Sequence, residues 1–438
     1  MKLHRPLVEA VIVALTHIFQ KNQYADKVVE RTLLSNPKWG ARDRAFIAET
    51  IYNCVRNMRL YYYLLTEDEK FVPENFTRKN FEGIVGIALK MSGADTQNFP
   101  EFAHLNINVL ENSMVQLGGW SISYSQNESH RLTDQLTNPF NIFYSIPDWL
   151  GELGEKELGT KAFEKEMTAL HRPTDLIIRC NTLKISVSDL RKKLSDLGWQ
   201  SYNTKLTPDA LILEKRGKIT GLELFKSGAF EVQDAGSQLI APFLNVEPGM
   251  FVVDACAGAG GKSLHLATLM QNTGKILSMD TEVRKLEILN KRALRNGISI
   301  ISTLEVGSWE SEKNLTSIVQ SPNFKFQRPD RLLLDVPCSG LGVLRRHPDT
   351  KWKLSPQFLT DINETQKNIL QKYSEMLKPG GKLVYATCSI LPSENQNQVR
   401  LFLENNPKYR LEEERTISPH HDSFDGFYMA RLHKTTDF

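Results

Sequence analysis

The first third of the chain repeats apolar residues at helical spacing, interrupted by short polar stretches. Between residues 1 and about 140 the pattern is clearest in VEAVIVALTHIF and ARDRAFIAETIYNCVRNMRLYYYLL. Apolar positions three and four residues apart indicate amphipathic helices. From about residue 121 to 147 the chain is rich in Ser, Asn and Thr and closes on Pro147. The pattern therefore predicts an all-α region followed by a linker.

Beyond Pro147 the pattern alternates between helical and strand-like segments. PDWLGELGEKEL and VSDLRKKLSDLGW are helical, whereas LIIRCNTLK and ALILEK are short apolar runs. Further apolar runs follow in FVVD, KILSMD, RLLLD and KLVYAT. Alternating strands and helices predict a small α/β module and then a larger α/β domain with buried parallel strands.

Length and composition predict a multidomain globular protein. A chain of 438 residues is too long for one compact core, so we expect two or three domains. No run approaches the roughly 20 apolar residues that cross a membrane, and the start MKLHRPLVEAVIVALTHIF carries no small-residue cleavage site. We therefore expect a cytoplasmic protein with no membrane partner.

The five cysteines are Cys54, Cys180, Cys256, Cys338 and Cys388. They form no CxxC pair and no His/Cys cluster, so the sequence supports neither a zinc site nor a disulfide framework. We expect reduced thiols, no metal and a monomeric protein.

Positive charge is local rather than global, because the formal net charge is only +3. In residues 1 to 65 Lys and Arg outnumber Asp and Glu two to one. Such a region could bind RNA phosphates and stack on bases, although a solvated helix face would look the same. The candidate side chains are Trp39, Arg42, Arg44, Arg56, Arg59 and Tyr61.

Two cysteines each follow an apolar run that reads as a buried strand, Cys338 in RLLLDVPCSG and Cys388 in KLVYATCS. The tips of parallel strands converge on one crevice, so we expect the two thiols to lie close together. Either cysteine alone could be a small buried hydrophobe. Two at one crevice indicate covalent chemistry.

A glycine loop in FVVDACAGAGGKSLHLATLM brings backbone near a ligand. The phosphate-binding pattern GxxxxGK[ST] fails because Cys256 stands where its first glycine should be, and GxGxxG fails because its third glycine falls on Ser263. A nucleoside without phosphates fits better, with Asp280 at the end of KILSMD placed to accept from ribose hydroxyls. A tight turn in any α/β domain remains the alternative.

Four blocks of the sequence then show a resemblance. GAFEVQDAGSQLIAPFL, DACAGAGGKS, LLLDVPCSG with LGVLRRHPDTKWK, and LKPGGKLVYATCSILPSEN resemble, in order, the Sun (RsmB, Fmu) branch of the RNA 5-methylcytosine methyltransferases. The resemblance covers about residues 228 to 400. Nearer the start, DKVVERTL and WGARDRAFIAETIYNCVRNMR are similar to the NusB-like helical domain of that branch.

The resemblance implies three domains. These are a NusB-like helical RNA-binding domain at residues 1–145, an RRM-like module at 146–228, and a seven-stranded Rossmann-like methyltransferase domain at 229–438. It implies S-adenosylmethionine-dependent methylation of carbon 5 of cytosine in small-subunit ribosomal RNA, with transfer RNA as the alternative substrate. A non-catalytic RNA-binding factor is the alternative from another class. Methylation at cytosine N4 is disfavoured, because the D/N-P-P-Y/F signature is missing.

Chemistry requires a thiolate that adds to carbon 6 of cytosine, a group that stabilises charge at the N3 edge, and help in releasing the thiol. Both cysteines lie on equivalent turns, so chemistry alone leaves their roles open. The resemblance implies that Cys388 is the nucleophile and that Cys338 assists release, the reverse of related DNA methylases. Asp335 is the carboxylate available at the N3 edge, where it is expected to act protonated.

The resemblance also implies a cofactor-binding set. This set is Cys256, Ala257, Gly258, Ala259, Gly260, Gly261, Lys262, Asp280, Ser308 and Asp335. Within it Cys256 resembles a packing residue. The sequence departs from the family at Ser308, which stands where an adenine-contacting Asp is usual; Ser308 could still donate a hydrogen bond, and Glu310 could substitute.

The block LGVLRRHPDTKWK places five basic side chains beside a lone acid, Asp349. We expect this charge to lie where an RNA backbone enters. The basic side chains are Arg345, Arg346, His347, Lys351 and Lys353. His347 could be a second base, although one histidine in a basic loop is more often structural.

Overall fold

The computed structural model describes residues 3–122, 138–307 and 327–436. The chain forms two compact units. The helical unit is Met1–His171 together with Arg346–Leu354, and the sheet unit is Arg172–Arg345 together with Ser355–Phe438. A nine-residue piece from the second half of the chain therefore belongs to the N-terminal unit, and we name residues 346–354 the plug segment.

The helical unit is all-α in its described residues, as predicted. Its α-helices are α1 (Arg5–Phe19), α2 (Ala25–Leu34), α3 (Ala41–Arg56), α4 (Met58–Thr66), α5 (Arg78–Met91), α6 (Ile107–Ile122), α7 (Pro139–Phe143), α8 (Asp148–Leu158), α9 (Thr160–Leu170) and, in the plug segment, α15 (Thr350–Lys353). Short 3-10 helices lie at Pro73–Asn75 and Pro100–Phe102.

The core of the helical unit is built on the apolar stripe of α1. Leu7, Val11, Leu15 and Ile18 recur at helical spacing and are buried in one cluster with side chains of α3 and α5. The helices bury their apolar stripes, and the polar stretches between the stripes form the loops that connect the helices. One expectation is wrong: α7, with Ile142 fully buried in the same core, lies within the predicted linker. Residues 123–137 of that linker lie outside the described residues.

The plug segment closes the ends of three helices. The Asp349 carboxylate accepts a hydrogen bond of 2.8 Å from the backbone N–H of Ala25 at the start of α2. The Lys351 ammonium donates to the Arg56 carbonyl at the end of α3 at 2.9 Å. The Lys353 ammonium donates to the Ile18 carbonyl near the end of α1 at 2.7 Å. An acid at a helix start and bases at helix ends complement the partial charges there.

Trp352 completes the plug segment. Its Nε1 donates to the Val55 carbonyl at 3.0 Å, one residue before the Lys351 contact on the same helix. Its ring lies 6.3 Å from that of Phe19 and 5.0 Å from that of Phe71, centroid to centroid. The expectation that Lys351 and Lys353 present positive charge to RNA is therefore wrong, because both ammonium groups are used inside the helical unit.

The predicted RNA-facing arginines need the same correction. Arg59 is 3% exposed, and its guanidinium donates to the Ile146 carbonyl and to Asp148, both at 2.7 Å. Arg56 and Tyr61 are also buried. Arg44 donates to backbone carbonyls, among them that of Trp39 at 2.9 Å. Arg44 and Arg59 are bonded to helix-end and loop carbonyls, which the linear pattern of basic residues could not reveal.

The sheet unit begins with a four-stranded antiparallel sheet in the order β2-β3-β1-β4. Its elements are β1 (Leu176–Cys180), α10 (Val187–Asp196), β2 (Ser201–Asn203), β3 (Ala210–Leu213), α11 (Glu223–Lys226) and β4 (Phe230–Val232), with a 3-10 helix at Ile219–Gly221. The βαββαβ succession in this strand order is the ferredoxin-like arrangement that RRM-like modules share. The predicted small α/β module is confirmed.

A seven-stranded sheet follows, in the order β10-β11-β9-β8-β5-β6-β7. Its strands are β5 (Phe251–Asp254), β6 (Lys275–Asp280), β7 (Ile301–Glu305), β8 (Arg331–Asp335), β9 (Lys382–Thr387), β10 (Tyr409–Ile417) and β11 (Phe427–Lys434). Strands β5 to β9 pair in parallel and β10 and β11 antiparallel. The order turns back between β5 and β8, where open α/β sheets bind ligands.

Helices cover this sheet, which is why its central strands are almost entirely apolar. They are α12 (Ala235–Phe243), α13 (Gly261–Leu269), α14 (Val283–Asn296), α16 (Pro356–Ser374), α17 (Gln396–Asn405) and α18 (Pro419–Asp422), with 3-10 helices at Leu341–Val343 and Pro392–Glu394. The compact units do not separate the RRM-like module from the seven-stranded domain, so the limits at 145/146 and 228/229 stay predictions. Among the helices of the described ranges, none is long and apolar enough to span a membrane.

Candidate active site

The site lies where three neighbouring strands end. Asp254 closes β5 and Asp335 closes β8, while Cys338 and Cys388 follow β8 and β9 by a few residues. Because these strands are parallel and adjacent, their carboxyl ends meet at one edge of the sheet. The Sγ atoms of Cys338 and Cys388 lie 3.1 Å apart. The structure thus brings together two thiols that are far apart in sequence.

The two cysteine turns have the same sequence pattern, Cys-Ser-x-Leu. In the first, the Ser339 hydroxyl oxygen accepts from the Leu341 N–H at 3.3 Å, and in the second Ser389 accepts from the Leu391 N–H at 3.1 Å. The turns are also joined by backbone, because the Gly342 N–H donates to the Cys388 carbonyl at 2.9 Å. A Cβ at Gly342 would lie 2.2 Å from the Gly426 carbonyl oxygen, so only glycine fits.

The environments of the two thiols differ. The hydrogen bond with Cys388, together with burial, raises the pKa of Cys338 well above its usual value. Cys338 therefore stays a thiol that can donate to Cys388. The Cys388 backbone N–H in turn lies 3.3 Å from the Cys338 sulfur. The Cys338 sulfur therefore accepts the Cys388 backbone N–H and can donate its own proton toward the Cys388 sulfur.

An ion pair stands beside the thiols. The Lys262 ammonium lies 2.5 Å from Oδ2 of Asp335, with side chains 14% and 24% exposed. Burial alone would lower the pKa of Lys262, but the charge and hydrogen bond of Asp335 raise it above its usual value, and Cys388 acts in the same direction. The site therefore holds a permanent ammonium at a strand end, in partly water-excluded surroundings. Asp335 is thus the partner of Lys262, whereas from the sequence we expected it to act protonated at the N3 edge of the base.

A buried acid lies deeper at the same edge. Asp254 is fully buried and accepts from the Ser263 hydroxyl at 2.6 Å, while the Ser278 hydroxyl donates to the Ser263 oxygen at 2.9 Å. Burial raises the pKa of Asp254 to about 7, although the Ser263 hydrogen bond opposes the rise. This chain ties the end of β5 to the first turn of α13 and to β6.

The glycine loop connects β5 to α13 and depends on glycine at two positions. Gly258 and Gly260 have φ of +54° and +85°, in the left-handed region that disfavours a side chain. At Gly260 a Cβ would also lie 2.4 Å from the Leu289 side chain, so the loop packs tightly on α14. At Gly258, by contrast, no heavy atom of the described residues other than its chain neighbours lies within 4 Å of the position that a Cβ would occupy.

Asp280 fixes this loop from the neighbouring strand. Its Oδ2 accepts from the Gly258 N–H at 2.8 Å and its Oδ1 accepts from the Glu282 N–H at 2.9 Å. The loop is fixed from behind as well, since Arg292 donates to the Ala259 carbonyl at 2.6 Å and Arg179 to the Gly261 carbonyl at 2.8 Å. The glycine loop is thus bonded to the protein on one side, and the space at Gly258 on the other side is free of other residues of the described ranges.

These residues fit a nucleoside-bearing ligand without phosphates. The open space above Gly258 leaves room against bare backbone, and the adjoining Asp280 is a hydrogen-bond acceptor suited to ribose hydroxyls. The donor and acceptor set therefore agrees with the nucleoside expected from sequence.

Two members of the predicted cofactor set are special cases. Cys256 is buried in the apolar cluster under the sheet, and burial raises its pKa well above the usual value. Its side chain packs, while its backbone belongs to the loop. Ser308 and the alternative Glu310 lie outside the described residues. In the ranges that are described, no group of three or more His, Cys, Asp and Glu side chains could hold a metal ion.

Sequence reasoning missed a second buried layer behind the cysteines. Glu394 is fully buried and accepts from both turn serines, Ser339 and Ser389. Gln366 of α16 donates to the same carboxylate at 3.0 Å. The repeated Cys-Ser-x-Leu pattern was the available signal, because two identical turns at adjacent strand ends suggest a common partner.

Comparisons with known proteins identify the family of this chain. Residues 241–433 match the family described as 16S rRNA methyltransferase RsmB/F, and residues 146–220 match the ferredoxin-like domain of the RsmF/B-like methyltransferases. The "Probable ribosomal RNA small subunit methyltransferase B" of Synechocystis sp. is 31% identical, over 97% of this chain and 99% of that protein.

Solved structures show the same fold. The crystal structure of PH0851 has a TM-score of 0.79 at 23% identity and covers 99% of this chain and 100% of that one. A methyltransferase homolog protein from Pyrococcus horikoshii has a TM-score of 0.57 at 27% identity, over 66% of this chain and 95% of that one. The chain is similar to the Synechocystis protein along nearly the whole length of both, and two family descriptions match the domains described above. This chain therefore belongs to the RsmB/F family of 16S rRNA methyltransferases.

Proposed function

We propose that the protein methylates carbon 5 of a cytosine in small-subunit ribosomal RNA, using S-adenosylmethionine and a covalent bond between Cys388 and carbon 6. The observation that carries the proposal is the 3.1 Å approach of two thiols beside the Lys262–Asp335 pair. The rRNA substrate is taken from the family description and from the name of the Synechocystis relative.

S-adenosylmethionine would supply an electrophilic methyl group on a sulfonium sulfur. The residues that would hold it are the backbone of the glycine loop at Gly258 to Gly261, with Asp280 at the ribose hydroxyls. These residues would hold the cofactor at the carboxyl ends of β5 and β6, next to the cysteine turns. Rigid placement of this kind is what makes a transfer effectively intramolecular.

Cys388 begins the chemistry. Carbon 5 of cytosine is a weak nucleophile, and addition of a thiolate to carbon 6 turns it into the nucleophilic end of an enamine. The Cys338 thiol donates toward Cys388, and the Lys262 ammonium is close enough for the two groups to interact electrostatically. Both contacts would stabilise negative charge on the Cys388 sulfur in the addition to carbon 6.

Lys262 and Asp335 compensate the charge that this addition creates. Negative charge develops at the N3 and O2 edge of the ring, and a preorganised ammonium–carboxylate pair can donate a proton there through Lys262. This replaces the protonated carboxyl expected from sequence alone. Asp335 then keeps Lys262 in place and charged.

Cys338 assists the last step. After methyl transfer, a water molecule acting as base takes the proton from carbon 5. The C–H electron pair re-forms the double bond between carbons 5 and 6, and the bond from carbon 6 to the Cys388 sulfur breaks, so the sulfur leaves as a thiolate. Because Cys338 keeps its proton, it can donate a hydrogen bond to the departing sulfur across 3.1 Å. A hydrogen bond to a charged group is worth about 1.5 to 3 kcal/mol.

We also propose that the helical unit is NusB-like and contributes to choosing the RNA. Its resemblance in DKVVERTL and in the α3 region supports this. Phosphate binding would then come from exposed side chains such as Arg42 rather than from the buried Arg56 and Arg59.

The test is methylation of defined RNAs. Purified protein and labelled S-adenosylmethionine are incubated with small-subunit rRNA and, separately, with tRNA, and the product is located by bisulfite sequencing. We expect 5-methylcytosine in the rRNA. Methylation of tRNA alone would change the substrate, modification at N4 would change the chemistry, and RNA binding without methyl transfer would favour a non-catalytic factor.

A further inference from the structure

One buried carboxylate contacts both cysteine turns. Glu394 ends the 3-10 helix after β9 and is 0% exposed. Its Oε1 accepts from the Ser339 N–H at 2.8 Å and from Gln366 at 3.0 Å. Its Oε2 accepts from the Ser339 hydroxyl at 2.5 Å and from the Ser389 hydroxyl.

This arrangement requires a group that only accepts. Each serine oxygen already accepts a backbone N–H, from Leu341 in one turn and Leu391 in the other, so each hydroxyl proton must go elsewhere. A carboxylate offers two oxygens with about four lone pairs, which matches the four donors. A glutamine of the same shape would place N–H groups against two of them, and an unmade buried hydrogen bond is costly.

Glu394 is tied to the frame of the domain as well as to the turns. The Tyr385 hydroxyl of β9 donates to the Glu394 carbonyl at 2.6 Å. Gln366, fully buried on α16, donates to the Pro337 carbonyl at 3.0 Å in addition to the carboxylate. The carboxylate is therefore a fixed point to which the residue after each cysteine is bonded.

We propose that Glu394 is a positioning residue that holds the Cys338 and Cys388 turns in register, so that both thiols reach the same cytosine. The inference rests on the proposed two-cysteine chemistry. Glu394 lies behind the turns and acts through Ser339 and Ser389 rather than on the base. The backbone bond from Gly342 to Cys388 keeps the turns attached when Glu394 is changed, so loss of Glu394 loosens the pair rather than separating it.

The two serines make the inference specific. Ser389 connects Glu394 to the attacking thiol, whereas Ser339 connects it to the thiol that assists release. Ser389→Ala should therefore slow formation of the covalent complex. Ser339→Ala should leave formation intact and slow its breakdown. Each removes one of the two serine hydrogen bonds to Glu394, and we expect the affected step to slow about tenfold.

The experiment uses the full chain and two rRNA transcripts, one with cytidine and one with 5-fluorocytidine. Fluorine on carbon 5 prevents the proton loss that expels the enzyme, so the covalent complex accumulates and is read on a denaturing gel. We expect Glu394→Gln to slow complex formation about a hundredfold, the usual cost of misplacing a reacting group by about 1 Å. The apparent KM for RNA and the affinity for cofactor should stay within about threefold of wild type. The hydrogen bonds that change lie behind the cysteine turns, away from both the RNA and the cofactor.

A matched control separates positioning from stability. Asn406 is also buried in the sheet unit, with its amide donating to Gln371 and to the Phe402 carbonyl. Asn406→Ala should lower the unfolding temperature without changing the rate of complex formation. Equal slowing by Asn406→Ala and Glu394→Gln at equal loss of stability would overturn the positioning role.

The remaining outcomes each decide something. Wild-type speed in Glu394→Gln would overturn the inference while leaving the two-cysteine chemistry intact. No complex from wild-type protein on 5-fluorocytidine RNA would instead refute the proposed function. If Glu394→Gln fails to fold, the serine variants still decide the question. Identical behaviour of Ser339→Ala and Ser389→Ala would contradict the proposal that each serine connects Glu394 to a different cysteine.

Discussion

A partly buried lysine and a fully buried lysine show how differently the two units use the same side chain. Lys262, in the sheet unit, pairs with the Asp335 carboxylate, which raises its pKa. Lys351, in the helical unit, is 2% exposed and donates to the carbonyls of Arg56 and Tyr144, while burial and then the charge of Arg56 lower its pKa well below its usual value. The Lys262 ammonium is bonded to a carboxylate of opposite charge, whereas the Lys351 ammonium is bonded to uncharged backbone carbonyls.

The difference teaches that the partner, rather than the burial, indicates the role. A lysine held by a carboxylate at a strand end keeps its charge, and that charge is available to a reaction. A lysine held by carbonyls at helix ends satisfies groups that would otherwise be left without hydrogen bonds. We therefore expect changes at the strand ends to affect chemistry, and changes in the plug segment to affect the stability of the helical unit.

The largest expected effect concerns the two cysteines. Cys388→Ser should abolish methylation and give no covalent complex, because no thiolate remains to add to carbon 6. Cys338→Ala should still attack and transfer methyl, but the complex with ordinary rRNA should persist, since the departing sulfur loses its donor. A denaturing gel after incubation with rRNA and cofactor shows the complex as a slow band. The reverse pattern would exchange the two roles.

Next in size is the loss of the strand-end ammonium. Lys262→Met should lower single-turnover methylation about 10²- to 10³-fold, the usual cost of removing one preorganised donor to developing charge. The matched variant is Lys351→Met, which should leave the rate unchanged at temperatures where the helical unit is folded. If both variants lost activity equally, the contrast between the two lysines would fail.

The third prediction addresses the plug segment. Trp352→Ala removes a ring packed on Phe19 and Phe71 and a donor to Val55, so it should destabilise the helical unit by about 3 to 5 kcal/mol. Hydrogen exchange of helix amides measures this locally. His347→Ala, at an exposed site in the same segment, should change stability by no more than about 0.5 kcal/mol. Unchanged protection in Trp352→Ala would show that the helical unit does not need the plug.

A smaller effect is expected at the cofactor loop. Asp280→Ala should weaken binding of S-adenosylmethionine by about 1 to 3 kcal/mol, since a buried carboxylate and its bond to Gly258 are lost. Asp330 is the control, because it accepts from the Phe251 N–H in the same way but precedes β8 instead of following it. Calorimetry should find normal affinity in Asp330→Ala. Normal affinity in Asp280→Ala would place the ribose elsewhere.

The smallest effect is a pair of opposite pH dependences. Lys351 has a lowered pKa, so between that value and the ordinary lysine value the unfolded chain binds more protons and stability rises with pH. Lys262 has a raised pKa, so its contribution is full below the ordinary value and is lost as pH rises through the raised one.

Each slope is at most about 1.4 kcal/mol per pH unit. Denaturant titrations of wild type, Lys351→Met and Lys262→Met across the alkaline range measure them. The rise should vanish in the first variant and the fall in the second. A slope that survives both substitutions belongs to other groups.

Much of the sheet unit could be predicted from sequence. The runs FVVD, KILSMD, RLLLD and KLVYAT are strands, because strands buried on both faces must be apolar throughout. The meeting of Cys338 and Cys388 follows from parallel strand order. Glu394 was missed because a single acid in a polar turn looks exposed, and only the fold shows that four donors surround it.

The helical unit was predicted less well, for a physical reason. Its helices follow from spacing, but the partners of Arg59 and Lys351 are backbone carbonyls, which every residue has and no sequence pattern marks. The same reason explains the error over the plug segment. Its charged side chains bind helix ends that lie more than two hundred residues away along the chain.

That distance has a consequence for the order in which the newly made protein can mature. The helices of residues 5–170 leave the ribosome first, yet Asp349, Lys351 and Trp352 follow only after the whole of 172–345 has been synthesised. At about 5 to 20 residues per second the wait is on the order of ten seconds or more. During translation the first unit to emerge is therefore completed only after most of the second has been made. A nascent chain released before Leu354 exposes to chaperones and proteases the helix ends that lack these hydrogen-bond partners.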